Sequence, residues 1–169
     1  MVAGIIDSRV QDFKISLNSW SIGNAADDLN AIIFRMEKSI FSRIIDGEIP
    51  SYKVYEDEYT VAFLDIHPTQ PGHTLVVPKK QVDHFEDLED EDYGQLWEAV
   101  KIVSQKLHVF GRKRIGVQVI GVDVPHAHVH LIPFDTTEEF RTIPDMTEEP
   151  DFVILEKTLN IILKGERNR

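Results

Sequence analysis

An α+β domain on a five-stranded, mainly antiparallel sheet is the fold class this sequence predicts, and three observations lead there. Short runs rich in β-branched and aromatic residues recur between residues 52 and 132 and read as strands. The links among the first three runs are too short for helical crossovers, so those strands pair antiparallel. Helical periodicity punctuates the strands instead of alternating with them, with one short helix before the sheet and one long helix inside it.

Taken in order, residues 1–35 mix short apolar runs with Ser, Asn and Asp and show no sustained period. They read as a dispensable N-terminal extension, with Met36 as a natural start; the alternative is an amphipathic segment packing through Ile32, Ile33 and Met36. Across Ser39–Asp46, Ile40, Phe41, Ile44 and Ile45 recur at helical spacing and Gly47 supplies a stop. Pro50 breaks the chain before two β-rich runs, Tyr52–Glu56 and Tyr59–Leu64, that flank an acidic turn and read as a hairpin. A third strand, His73–Val77, is bracketed by Pro71-Gly72 and Pro78. Seven of the ten residues from Asp83 to Asp92 are acidic, and Leu96, Val100, Val103 and Leu107 then mark a long helix ending at Gly111. Acids in a first turn suit the positive end of the helix dipole. Ile115–Ile120 and His126–Ile132 are the last two strands; an acidic linker follows, and residues 152–163 suggest a terminal amphipathic helix.

Composition narrows the function. The 169 residues suit a single core, and 42% apolar with 28% charged residues is ordinary globular usage. No run approaches the roughly 18–20 apolar residues of a membrane span. Asp7 interrupts the apolar opening and no basic segment precedes it, so a cytoplasmic protein is expected. The absence of cysteine excludes disulfides, thiolate zinc fingers and a Cys nucleophile. A net charge of −11 argues against general nucleic-acid binding.

Histidine is the unusual residue: all seven lie between His67 and His130. In His126-Ala-His128-Val-His130-Leu-Ile132, alternation on a strand would put three imidazoles on one face at roughly 6.6–7 Å intervals. Three readings follow. The row is a solvated strand face, or a metal site, although three evenly spaced residues on one strand converge poorly on a tetrahedral centre. The third reading, which the residues favour, is nucleophilic catalysis: neutral imidazole attacks phosphorus without a separate base, while its neighbours orient it or donate to phosphate.

These residues, with Phe41-Ser-Arg-Ile-Ile-Asp-Gly-Glu-Ile-Pro50 and Asp65-Ile-His-Pro-Thr-Gln-Pro-Gly-His73-Thr-Leu-Val-Val-Pro78 before them, closely resemble the histidine-triad (HIT) superfamily in its Hint-like branch. The likeness runs from about Met36 to Pro133 and implies a HIT domain over residues 36–134, followed by an acidic linker and C-terminal helix over 135–169. It implies a nucleotide hydrolase or transferase cleaving at the α-phosphorus of purine nucleotide conjugates, phosphoramidates or dinucleoside polyphosphates. His128 matches the nucleophile that forms a nucleotidyl-histidine, and His130 the phosphate contact. His126 with His73 matches the pair that positions the nucleophile. Asp65 matches the carboxylate that grips both ribose hydroxyls. Ile40, Phe41, Ile44 and Phe63 match the slot for the purine base, although Phe41, Ile44 and Phe63 also read as core. His67, His84 and His108 match no catalytic position, and Lys79-Lys80 reads as a solvated strand end.

Three departures qualify the likeness. Many relatives bind zinc through a Cys-x-x-Cys pair where this chain has Ser39 and Ser42, so no structural zinc and no required cofactor are expected. The loop before the triad is short, with Gln118 near a usual Asn position and Asp123 three residues before His126; a carboxylate there repels a polyphosphate leaving group. That motivates the alternative of a nucleotide-binding adaptor with incidental turnover. Residues 135–151 hold seven acids and one Arg, unlike the basic tails of members that repair DNA ends. The branch also implies a homodimer, through residues 92–110 and 115–120.

Overall fold

The computed structural model describes residues 37–166, and the readings for residues 1–35 and Met36 lie outside the described residues. Helix α1 (Ile40–Ile45) begins at Ser39, whose side chain accepts the Ser42 N–H, one of the donors a first helical turn leaves unpaired. Its Phe41 and Ile44 are buried, while Ile40 is 47% exposed. Strands β1 (Lys53–Glu56), β2 (Thr60–Leu64) and β3 (Thr74–Pro78) then form an antiparallel meander. The first turn is held by Asp57, whose Oδ1 accepts from the backbone N–H groups of Tyr59 and Thr60.

Helix α2 (Asp90–Leu107), preceded by a 3₁₀ turn at Phe85–Asp87 and followed by another at His108–Phe110, carries the chain to β4 (Arg114–Gln118). Strand β5 (Val129–Phe134) returns between β3 and β4, so the sheet order is β1-β2-β3-β5-β4. Every neighbouring pair is antiparallel, as the sequence predicts. Two differences matter. Strand β4 stops at Gln118, short of the expected Ile120. Strand β5 starts at Val129, so His126 and His128 precede it. Pro125 cannot donate to a ladder, and the Ala127 N–H bonds outward to the Val82 carbonyl at 2.6 Å.

Strands β2 and β3 are buried along their whole length, as in a sheet covered on both faces. Alternation sorts their side chains. Ala62, Leu64, Val76, Val129 and Leu131 meet the buried stripe of α2 and Leu155 and Ile162 of the terminal helix; Val61, Phe63, Leu75 and Val77 meet Phe41 and Ile44. Each fully buried Leu or Val contributes about 1.5–3 kcal/mol, and the α2 face holds the larger of the two buried clusters. A short helix, α3 (Thr137–Phe140), interrupts the expected linker, closed by a reciprocal Thr136–Glu139 capping box. Helix α4 (Phe152–Glu166) closes the described chain. Among the described residues no helix is long and apolar enough to cross a membrane.

Candidate active site

Register places the histidines. His130 pairs with Leu75 on one side and Gln118 on the other, and directly paired residues of an antiparallel ladder share a face. Since Leu75 belongs to the Phe41 cluster, His130 and Gln118 look toward α1. The three triad residues are not an even row. The rings of His128 and His130 are 4.9 Å apart, closer than strand spacing implies, because His128 lies ahead of the ladder. Phe41 meets the His128 ring edge-on at 5.0 Å and the His126 ring at 5.9 Å, so one turn of helix walls the cluster.

Hydrogen-bond partners assign the protons. His128 Nδ1 lies 2.7 Å from the His126 carbonyl. A carbonyl only accepts, so Nδ1 carries the hydrogen and the neutral ring keeps its lone pair on Nε2. His126 Nε2 donates to the Pro78 carbonyl at 2.8 Å, which leaves its Nδ1 as the acceptor. The ring of His126 is fully buried, and that desolvation lowers its pKa and keeps it neutral.

A second chain runs through His73. The Thr69 N–H donates to His73 Nδ1 at 3.3 Å, so Nε2 bears the hydrogen and donates to His130 Nδ1 at 3.0 Å. His130 is thereby left with Nε2–H, a donor suited to an anionic oxygen. Burial lowers the pKa of both His73 and His130 to about 4, aided in His130 by His73 and His128 and opposed by Asp65. His73 therefore engages His130, and the bond to the nucleophile candidate comes from His126; the sequence likeness had assigned both residues to His128. Gly72 permits the turn that delivers His73: its φ is +88°, and a Cβ there would overlap the Phe110 ring.

Asp65 sits against this pair, its Oδ1 accepting the His67 N–H at 2.9 Å and its Oδ2 3.6 Å from His73 Nε2 and 4.0 Å from His130 Nδ1. Burial raises its pKa, against the pull of that N–H and of the neighbouring histidines. Asp65, His73 and His130 are close enough to hold a metal ion. The Thr69 N–H argues against it, because it keeps the His73 proton on the atom a metal would need.

Phe41, Ile44 and Phe63 form one buried cluster, with the Phe41 and Phe63 rings 5.6 Å apart, while Ile40 stands outside it. Lys79 pairs with Glu56 and Lys80 with Asp92, in keeping with a solvated strand end. Gln81, Thr69 and the Pro78 carbonyl were missed by sequence reasoning, because no pattern marks a residue whose role is to aim another. A cavity of about 220 Å³ lies between the Pro68–Gly72 loop and α4. Its lining includes His73 but none of His126, His128 and His130.

The fold and these rings define a histidine-triad protein, with three imidazoles fixed by backbone carbonyls and by one another beside a half-buried carboxylate. The comparisons agree: the HIT domain family model matches residues 46–137, and the chain belongs to the HIT family. An uncharacterized HIT-like protein of Methanocaldococcus jannaschii is 42% identical over 99 residues, which span 56% of this chain and 77% of that one. An adenosine 5′-monophosphoramidase of Saccharomyces cerevisiae is 34% identical over 115 residues, 67% of this chain and 73% of that one. Among solved structures, a Hit-like protein involved in cell-cycle regulation from Bartonella henselae superposes with a TM-score of 0.67 at 31% identity, covering 76% of this chain and 96% of that one.

Proposed function

We propose that this chain hydrolyses purine nucleotide conjugates at the α-phosphorus, through a nucleotidyl-histidine formed on His128. The observation that carries the reading is the bond from His128 Nδ1 to the His126 carbonyl, which leaves the lone pair of the neutral ring on Nε2. Attack forms the Nε2–P bond and breaks the P–N or P–O bond to the leaving group. The ring becomes cationic, and the carbonyl on Nδ1–H stabilises that charge as it develops. The departing group takes up a proton from solvent. Water then cleaves the Nε2–P bond, releases the nucleotide and returns a proton.

The remaining residues take supporting parts in the same reading. His130 Nε2–H donates to a non-bridging phosphate oxygen, and Asp65 accepts from the ribose hydroxyls. The apolar wall of Phe41, Ile44 and Phe63, with Ile40 at its rim, faces the purine, and Gln118 lies on the leaving-group side. Asp123, exposed in the preceding loop, disfavours polyphosphate and favours an amine, which is neutral as it departs and cationic once solvent protonates it. A phosphoramidate is therefore preferred to a dinucleoside polyphosphate, a choice the yeast relative's name supports. The covalent step needs no metal. We further propose a homodimer through β4, an edge strand whose Val117 is 44% exposed and is followed by Ile120 at 49%.

The test is AMP release from an adenosine 5′-phosphoramidate by the wild type and His128→Ala. A fall of at least about a thousandfold is expected for the variant. Equal rates would overturn the assignment, and tight AMP binding without turnover of any conjugate would favour the adaptor reading.

A further inference from the structure

The aim of His128 depends on His126, and His126 is itself held from the start of α1. We propose that Ser39 is a positioning residue for the nucleophile, its hydroxyl donating to His126 Nδ1 and so fixing the ring whose carbonyl orients His128. The inference rests on the reading of His128 as nucleophile and assigns to the Ser39–Ser42 turn a task beyond capping.

The donor count leaves little freedom. Ser39 Oγ lies 2.7 Å from His126 Nδ1, and both residues are buried. Ser39 Oγ accepts the Ser42 N–H at 3.0 Å and lies 3.2 Å from Ser42 Oγ, and its own hydrogen is what it can donate to a ring nitrogen that carries none. Ser42 Oγ, the other hydroxyl nearby, gives its hydrogen to Gln81 Oε1 and sits farther from the ring, at 3.5 Å. His126 Nε2 is committed to the Pro78 carbonyl, so its Nδ1 is a lone pair awaiting a donor. Gln81 Oε1 also accepts the Ser39 N–H at 3.0 Å, which ties the cap to the segment after β3. The Ser39 hydrogen, the His126 ring and carbonyl, and His128 Nδ1 therefore form one directed path, with every donor and acceptor satisfied. Without the hydroxyl, His126 Nδ1 is a buried acceptor lacking its donor, and the ring can turn or take up the other tautomer.

The test separates this task from capping. Asp is as good an N-cap as Ser but cannot donate when ionised, whereas Thr keeps the hydroxyl. Relative to wild type on an adenosine 5′-phosphoramidate, Ser39→Ala and Ser39→Asp are expected to lose about tenfold in kcat with KM within about twofold, while Ser39→Thr retains the larger part of kcat. Imidazole ¹⁵N spectra of the wild type should show His126 protonated on Nε2 alone and His128 on Nδ1 alone, with the His128 signature becoming a mixture in Ser39→Ala. Wild-type kcat in Ser39→Ala, Ser39→Asp matching Ser39→Thr, or a wild-type His126 protonated on Nδ1 would each overturn the inference. If Ser39→Ala fails to fold, the Thr–Asp comparison and the wild-type spectrum decide. His128→Ala serves as the control. Full activity there would overturn the proposed function and this inference with it; inactive His128→Ala beside fully active Ser39→Ala would overturn the inference alone.

Discussion

His73 and His130 carry a pH dependence that follows from their burial. Each has a folded pKa of about 4, below the roughly 6.5 of an unfolded histidine. Between those values the unfolded chain binds protons that the folded one refuses, so stability rises with pH across that window and is lost as pH falls from about 6.5 through 4. Asp65, raised by burial, works in the opposite sense over the carboxylate range. Denaturant titrations of wild type and His73→Gln between pH 4 and 7 isolate the histidine contribution. The wild type should show the steeper loss on acidification, and parallel curves would contradict the account. At this scale His73 and Asp65 entered as candidates only through the family likeness, whereas the candidate row His126, His128 and His130 was legible from residue type and spacing. Which ring touches which was not, since that depends on the Thr69 N–H and the Pro78 and His126 carbonyls, backbone groups that every residue owns.

Among the elements, the turn before β3 is where backbone and site meet. Gly72, at φ +88° with the Phe110 ring where a Cβ would stand, cannot be replaced without strain and overlap. Gly72→Ala should destabilise the protein by about 1–3 kcal/mol and reduce activity, because the same turn delivers His73. In a Phe110→Ala background the same substitution should cost less in denaturant melts, because the overlap is gone while the backbone strain remains; an unchanged midpoint for Gly72→Ala would contradict this. Helix α1, the meander and α2 were readable from periodicity, Pro–Gly punctuation and acidic first-turn residues. The start of β5 was not, because the His-x-His alternation continues through His126 and His128 while the Ala127 N–H is drawn to Val82. Helix α3 was overlooked although Thr136-Thr-Glu-Glu139 spells a capping box, a signal submerged in the acidic run around it.

For the chain as a whole, the α+β class and the antiparallel pairing were legible because β-rich runs are joined by links too short for helical crossovers, with one long helical repeat set among them. A pairing surface was not, since apolar periodicity does not separate a dimer face from a core face; pairing through residues 92–110 and 115–120 was implied by the family likeness alone. If β4 pairs two copies, sedimentation should find a dimer for the wild type and a monomer for Ile120→Asp, whereas a monomeric wild type would remove the proposal. The role of the histidines is tested most directly by stopping the reaction of an adenosine phosphoramidate during turnover under alkaline quench, where a phosphorus–nitrogen adduct survives, and mapping the modified peptide by mass. The account predicts one adenylyl group on His128, absent in His128→Ala. Turnover without an adduct, or an adduct on another residue, would contradict it.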